Sequence, residues 1–138
     1  MNIETRMKRA FDLATRSKAR RLKVGCIITD RKKDIIGMGY NHMPKGFGDN
    51  CEDETPDGLV TKKELIHAEA DAICNCAKHG KGLYNATLFV THSPCIDCAK
   101  MIASSGIRVV YYQEEYRLKD GIDFLKKCGV QVFKVNPK

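Results

Sequence analysis

The first clear period along the chain is helical. Ile3, Met7, Ala10, Phe11 and Ala14 fall at i, i+4, i+7, i+8 and i+11. They make one apolar stripe on a helix over residues 2–18, with Asn2 as N-cap. The period then changes. Residues 24–29 and 35–41 are nearly continuous apolar runs on either side of a polar link at 31–34, which predicts an antiparallel hairpin. Gly37 and Gly39 weaken the second run as a strand and mark a bulge or a close backbone approach. Residues 42–64 are polar and carry Pro44, Gly46, Gly48, Pro56 and Gly58. A loop of that length without structure of its own is uncommon in a compact domain and is usually functional or mobile.

Helix and strand signals alternate after the loop. A helix spans 66–79 and stops at Gly80, and a strand covers 86–91. A helix over 95–105 is entered through Ser93-Pro94 and ended by Gly106, and a strand covers 108–112. A helix over 118–127 places Leu118, Ile122 and Leu125 on one face and is followed by Gly129, and the last strand covers 130–135. Strands joined by single helices run parallel through right-handed crossovers. The pattern therefore predicts an α/β fold: a five-stranded mixed sheet between helices, in three α/β/α layers. No repeat or second boundary interrupts it, so residues 1–138 read as one domain.

Composition narrows the class. Hydrophobic residues make up 43% and charged residues 30%, which suits a soluble globular protein. No apolar run is long enough to span a membrane, and the first residues lack the apolar core of a secretory signal. Seven cysteines, an odd number without a secretion signal, point to a reducing, cytoplasmic setting. Cys26, Cys74, Cys76 and Cys128 read as small buried hydrophobes. A net charge of +7, densest at residues 16–23, fits either a nucleic acid or a small anionic substrate.

The chemistry lies in two stretches, His67-Ala68-Glu69 and Pro94-Cys95-Ile96-Asp97-Cys98. H-x-E followed by P-C-x-x-C is the signature of zinc-dependent deaminases. His67 begins one predicted helix, and Cys95 and Cys98 begin another. Helix N-termini carry partial positive charge, which lowers thiol pKa and favours thiolate ligands. One histidine and two cysteines give tetrahedral zinc three protein ligands and one open position, as in catalytic sites. Glu69 does not share a helix face with His67, so it stands beside the metal. There it can take a proton from a metal-activated water and return it to a leaving group. A closed structural site would need a fourth ligand from Cys51, His42, His79 or His92. A redox pair would not explain Pro94 or the intervening Ile96-Asp97.

With Lys23-Val24-Gly25, Gly39-Tyr40-Asn41, Met43-Pro44-x-Gly46 and Cys98-Ala99-Lys100, these motifs resemble the deoxycytidylate (dCMP) deaminases of the cytidine deaminase superfamily. The resemblance covers about residues 17–135. It implies zinc at His67, Cys95 and Cys98, and Glu69 as the proton shuttle. It implies that Asn41 binds the deoxyribose, that Val24 and Ala68 line the substrate pocket, and that the Ser93 carbonyl meets the leaving amine. For the 5′-phosphate it implies Lys23 first, then Arg21 and Tyr116. The implied reaction is hydrolysis of dCMP to dUMP with release of ammonia. Family members often form homo-oligomers, hexamers above all, with dCTP and dTTP as effectors near the 42–64 loop. No nucleic acid or membrane partner is expected.

Three features depart from the family pattern. His42 stands where glycine usually follows G-Y-N, and Asp71 where asparagine is common. The 42–64 loop has Cys51 but not the Cys/His set of relatives that bind a second zinc, so one zinc per chain is expected. Two rival readings share part of the pattern. A tRNA adenosine deaminase would suit the positive charge, but its P-C-x-M-C has methionine where this chain has Asp97. A zinc-stabilised binding module would use the metal without the chemistry.

Overall fold

The computed structural model describes residues 2–116 and 118–137. The N-terminal stripe forms α1 (Ile3–Ala14), capped by the Asn2 side chain, which accepts the Thr5 N–H. The predicted hairpin forms β1 (Gly25–Thr29) and β2 (Ile35–Tyr40). Then come β3 (Glu52–Thr55), β4 (Gly58–Thr61), α2 (Ala68–Lys78), β5 (Thr87–His92), α3 (Ile96–Ser104), β6 (Val109–Glu114), α4 (Asp120–Lys127) and β7 (Gln131–Lys134). The main sheet has the order β2-β1-β5-β6-β7. β1 is antiparallel to β2 and to β5, whereas β5, β6 and β7 are parallel. This is the expected five-stranded mixed sheet.

Two apolar clusters occupy its two faces. Met7, Ala10 and Leu13 of α1 pack on Ile27 and Phe89. Ala72, Ile102, Ile122 and Leu125 of α2, α3 and α4 pack with Cys26, Ile28, Leu88, Val90 and Val110. The alternation along β1 and β5 decides which residues serve which face. Gly37 and Gly39 settle as a close approach. A Cβ at Gly37 would lie 2.4 Å from the Cys76 sulfur, and one at Gly39 would lie 2.5 Å from the Ala72 nitrogen. Only glycine lets β2 lie so close to α2, the helix that His67 begins. The register also shifts between Ile28 and Thr29, so a bulge is present as well.

Four expectations need correction. α1 ends at Ala14, before residue 18. The Thr15 hydroxyl bonds the Asp12 carbonyl and the Ser17 hydroxyl takes the Ala19 N–H, local bonds that compete with helix. The 42–64 stretch does have structure, since β3 and β4 pair there as an antiparallel ribbon. Leu118 precedes α4 and is exposed, so it is not part of that helix's apolar face. Cys26 and Cys76 are buried as expected, but Cys74 and Cys128 are exposed.

Candidate active site

The parallel strands β5 and β6 end side by side, and the chain beyond β5 turns through Ser93 and Pro94 into α3. In open α/β sheets this carboxyl end of the strands is where ligands bind. Cys95 is the N-cap of α3 and His67 the N-cap of α2, both with extended backbone. Neither side chain caps its helix. An N-cap is usually Ser, Thr, Asp or Asn, which satisfies a free amide. Here both side chains turn instead toward a common point. His67 Nδ1 lies 3.6 Å from Cys95 Sγ and 3.4 Å from Cys98 Sγ. The three ligand atoms all lie within 4.8 Å of one another. Tetrahedral zinc, with Zn–N of about 2.0 Å and Zn–S of about 2.3 Å, would separate nitrogen and sulfur by about 3.5 Å. The donor set and its spacing fit such an ion.

The thiols share their protons unequally. The Cys95 thiol is pulled down to about 4, first by the hydrogen bond from Cys98 and then, against burial, by His67. Cys98 is pushed up because it supplies that hydrogen bond and is buried. A dication between them would replace the shared proton and hold both as thiolates. Glu69, 4% exposed, sits next to this triangle. Burial pushes its carboxyl up to about 7, against the pull of its own amide and of His67. Such a group is suited to both taking and giving a proton near neutral pH.

A cleft of about 530 Å³ opens in front of the triangle. His67, Cys95, Ile96, Tyr116, Leu118 and Asp120 line it together with Ala19, Arg21, Leu22, Glu52, Thr61 and Leu65. A small recess of about 30 Å³ brings Val24, Asn41, Ala68, Glu69 and Tyr116 together with His67 and Cys95. Asn41 is fixed there, since its Oδ1 accepts the Val24 N–H at 2.8 Å and its Nδ2 donates to the Leu22 carbonyl at 2.8 Å. Ser93 is fully buried, and its hydroxyl accepts the Tyr116 N–H at 2.9 Å, which holds Tyr116 over the site. Burial and the nearby Glu69, Cys95 and Cys98 raise the Tyr116 phenol, which keeps it neutral.

The structure thus gathers nearly every residue singled out from the sequence. Ser93 and Cys98 line neither cavity but are tied to the site through Tyr116 and His67, whereas Lys23 is exposed and stands apart, and Arg21 lines the cleft. Glu52 and Thr61 were missed. They belong to a polar ribbon in which no residue stands out by type or spacing.

Comparison with known proteins agrees with this geometry. Residues 1–114 match the family described as the cytidine and deoxycytidylate deaminase zinc-binding region. The chain belongs to that family. It is 34% identical to the deoxycytidylate deaminase of Enterobacteria phage T4, covering 100% of this chain and 92% of that protein. It is 39% identical to ComE operon protein 2 of Bacillus subtilis, covering 94% of this chain and 68% of the other. Among solved structures, the dCMP deaminase of cyanophage S-TIM5 in complex with dCMP and dUMP matches with a TM-score of 0.88 and 41% identity. That match covers 98% of this chain and 99% of the other.

Within this deaminase family the two single-residue departures turn out to be partners. His42 Nε2 meets Asp71 Oδ1 at 3.0 Å, and His42 Nδ1 meets the Met43 carbonyl at 2.8 Å. With an acceptor at each nitrogen, both contacts are hydrogen bonds only in the imidazolium form. Burial pulls the His42 pKa down, but Asp71 and Met43 outweigh it and the net shift is upward. Asp71 also accepts the Tyr40 N–H at 3.2 Å, so the pair ties the end of β2 to the first turn of α2.

Proposed function

We propose that this chain hydrolyses dCMP to dUMP and ammonia, with one zinc ion held by His67, Cys95 and Cys98. The observation that carries the reading is the buried Glu69, which shares a recess with His67 and Cys95 of that ligand triangle, while Arg21 lines the cleft that these two ligands also line. Bound zinc would supply Lewis acidity, lowering the pKa of a water toward ~7. The protein's own groups do the rest. Glu69 accepts the water proton and hands it to N3 of the cytosine, then passes a second proton to the departing amino group. The atoms balance as dCMP plus water giving dUMP plus ammonia. Val24 and Ala68 pack beside the base, Asn41 holds the sugar, and the Ser93 carbonyl accepts from the amino group. Tyr116 covers the recess and excludes bulk water. Arg21 is the only Lys or Arg that lines the cleft among the described residues, and it takes the phosphate in place of Lys23.

The same reading includes one domain, a cytoplasmic setting and a homo-oligomer, for which a hexamer is the first state to test. Phe133, 46% exposed and stacked on Tyr111, offers apolar surface for contact with another copy. No helix among the described residues is long and apolar enough to cross a membrane. dCTP and dTTP are the effectors to test, beside the loop that His42 begins.

Ammonia release from dCMP, cytidine and tRNA, with and without dCTP and dTTP, tests the reading. Glu69→Gln should lower turnover at least ~10³-fold with zinc content intact, since it removes the group that moves every proton. Turnover of tRNA but not of dCMP would overturn the assignment. Loss of zinc and fold together in Glu69→Gln would favour a structural metal.

A further inference from the structure

Glu52 opens a four-residue strand on the protein's periphery, yet its side chain is only 1% exposed. A buried carboxylate is costly unless its oxygens are satisfied. Oε2 accepts two successive backbone amides, Arg20 N–H at 2.8 Å and Arg21 N–H at 2.9 Å. Among the described residues Oε1 has no hydrogen-bond donor, and Arg20 Nε faces it at 3.5 Å. The Arg20 guanidinium is itself spent on Asn50 Oδ1 at 3.2 Å, just before the ribbon, and on Glu54 Oε1 of β3 at 3.3 Å. From the other strand, Thr61 Oγ1 accepts from Arg21 Nη1 at 3.1 Å. The Arg21 backbone is therefore held by β3 and its side chain by β4.

We propose that Glu52 is a positioning residue for the phosphate end of the site, clamping the 20–21 backbone to the ribbon so that Arg21 stands in the cleft. The proposal rests on the reading of this chain as a dCMP deaminase. It explains why an acid is tolerated beside an anion site: Arg20 offsets its charge and leaves Arg21 for the ligand. The amides and Arg20 outweigh burial and hold the Glu52 carboxyl below its ordinary range, so it is ionised when it accepts them. It also gives the ribbon a task, that of one wall of the cleft.

The test compares Glu52→Ala, Glu52→Gln and Glu52→Asp on dCMP and on deoxycytidine, which lacks the phosphate. Glu52→Ala should raise KM for dCMP at least ~10-fold, the scale of losing charge-assisted hydrogen bonds. Its kcat and its kcat/KM for deoxycytidine should stay within about threefold. Glu52→Gln keeps an oxygen for both amides and should recover most of KM. In an Arg21→Ala background, Glu52→Ala should add little, because the effect runs through Arg21. Equal losses on dCMP and deoxycytidine, or full additivity with Arg21→Ala, would overturn the proposal. If Glu52→Ala does not bind zinc and fold, Glu52→Asp carries the test. It keeps the charge but draws the oxygens back, and an unchanged KM would overturn the clamp. Wild-type protein that releases no ammonia from dCMP would instead overturn the functional reading beneath it.

Discussion

Gly121 is the point at which α4 touches the turn that carries Cys95. A Cβ there would stand 2.1 Å from the Pro94 carbonyl oxygen and 3.0 Å from the carbonyl carbon and oxygen of Cys95. Contacts below 3.0 Å are essentially never seen, so Gly121→Ala must open this gap by about 0.9 Å. α4 cannot simply retreat, because Ile122 and Leu125 are 5% and 0% exposed in the core. Part of the displacement falls on Cys95. Metal ligands tolerate about 0.2 Å, and a catalytic constellation about 0.5 Å. Zinc affinity should fall at least ~10-fold and kcat/KM about 100-fold. Overpacking of this kind costs about 1–3 kcal/mol, or roughly 3–12 °C in Tm. Zinc competition with a chromogenic chelator, steady-state ammonia release and thermal melts of the zinc-loaded protein measure all three. Gly82→Ala is the control, since its Cβ meets nothing within 4 Å. Wild-type zinc affinity and kcat/KM in Gly121→Ala would refute the reasoning. So would a lowered Tm alone, because α4 would then have absorbed the whole shift.

Two other perturbations test the cleft wall and the His42 pair. Arg21→Ala should raise KM for dCMP at least ~10-fold with deoxycytidine little affected, whereas Lys23→Ala should leave both within about threefold. A larger effect from Lys23→Ala would move the phosphate site to that residue. The pKa of His42 in the folded state lies above its ordinary 6.5, so its pairing stabilises fully below that value and fades as pH rises through the raised one. Urea unfolding of wild type and Asp71→Asn between about pH 5.5 and 8.5 should show a difference that is largest at the acid end, and a difference independent of pH would refute the pairing.

What could be read from the sequence was local. The helical stripe of α1 and the apolar runs of β1 and β5 announce themselves through their own period. The candidate metal site is legible for the same reason, since His67 with Glu69, and Cys95 with Cys98, are set by spacings of two and three residues. The ribbon gives no such signal. Glu-Asp-Glu-Thr has no apolar alternation, and β3 and β4 are tied down by Arg20 and Arg21, more than thirty residues away. Leu118 misled for the opposite reason: it falls in step with Ile122 and Leu125, yet it precedes α4 and lines the cleft. His42 and Asp71 show the cost of reading positions singly. Each alone is a departure that weakens the resemblance. Together they form one contact across 29 residues, which pins the start of α2 to the end of β2. That start is where His67 and Glu69 sit. A lone change of Asp71 to the asparagine common in relatives would therefore leave His42 without its anion, next to the helix turn that carries the proposed chemistry. The two positions should be exchanged together, as His42→Gly with Asp71→Asn, if the common family arrangement is to be rebuilt in this chain.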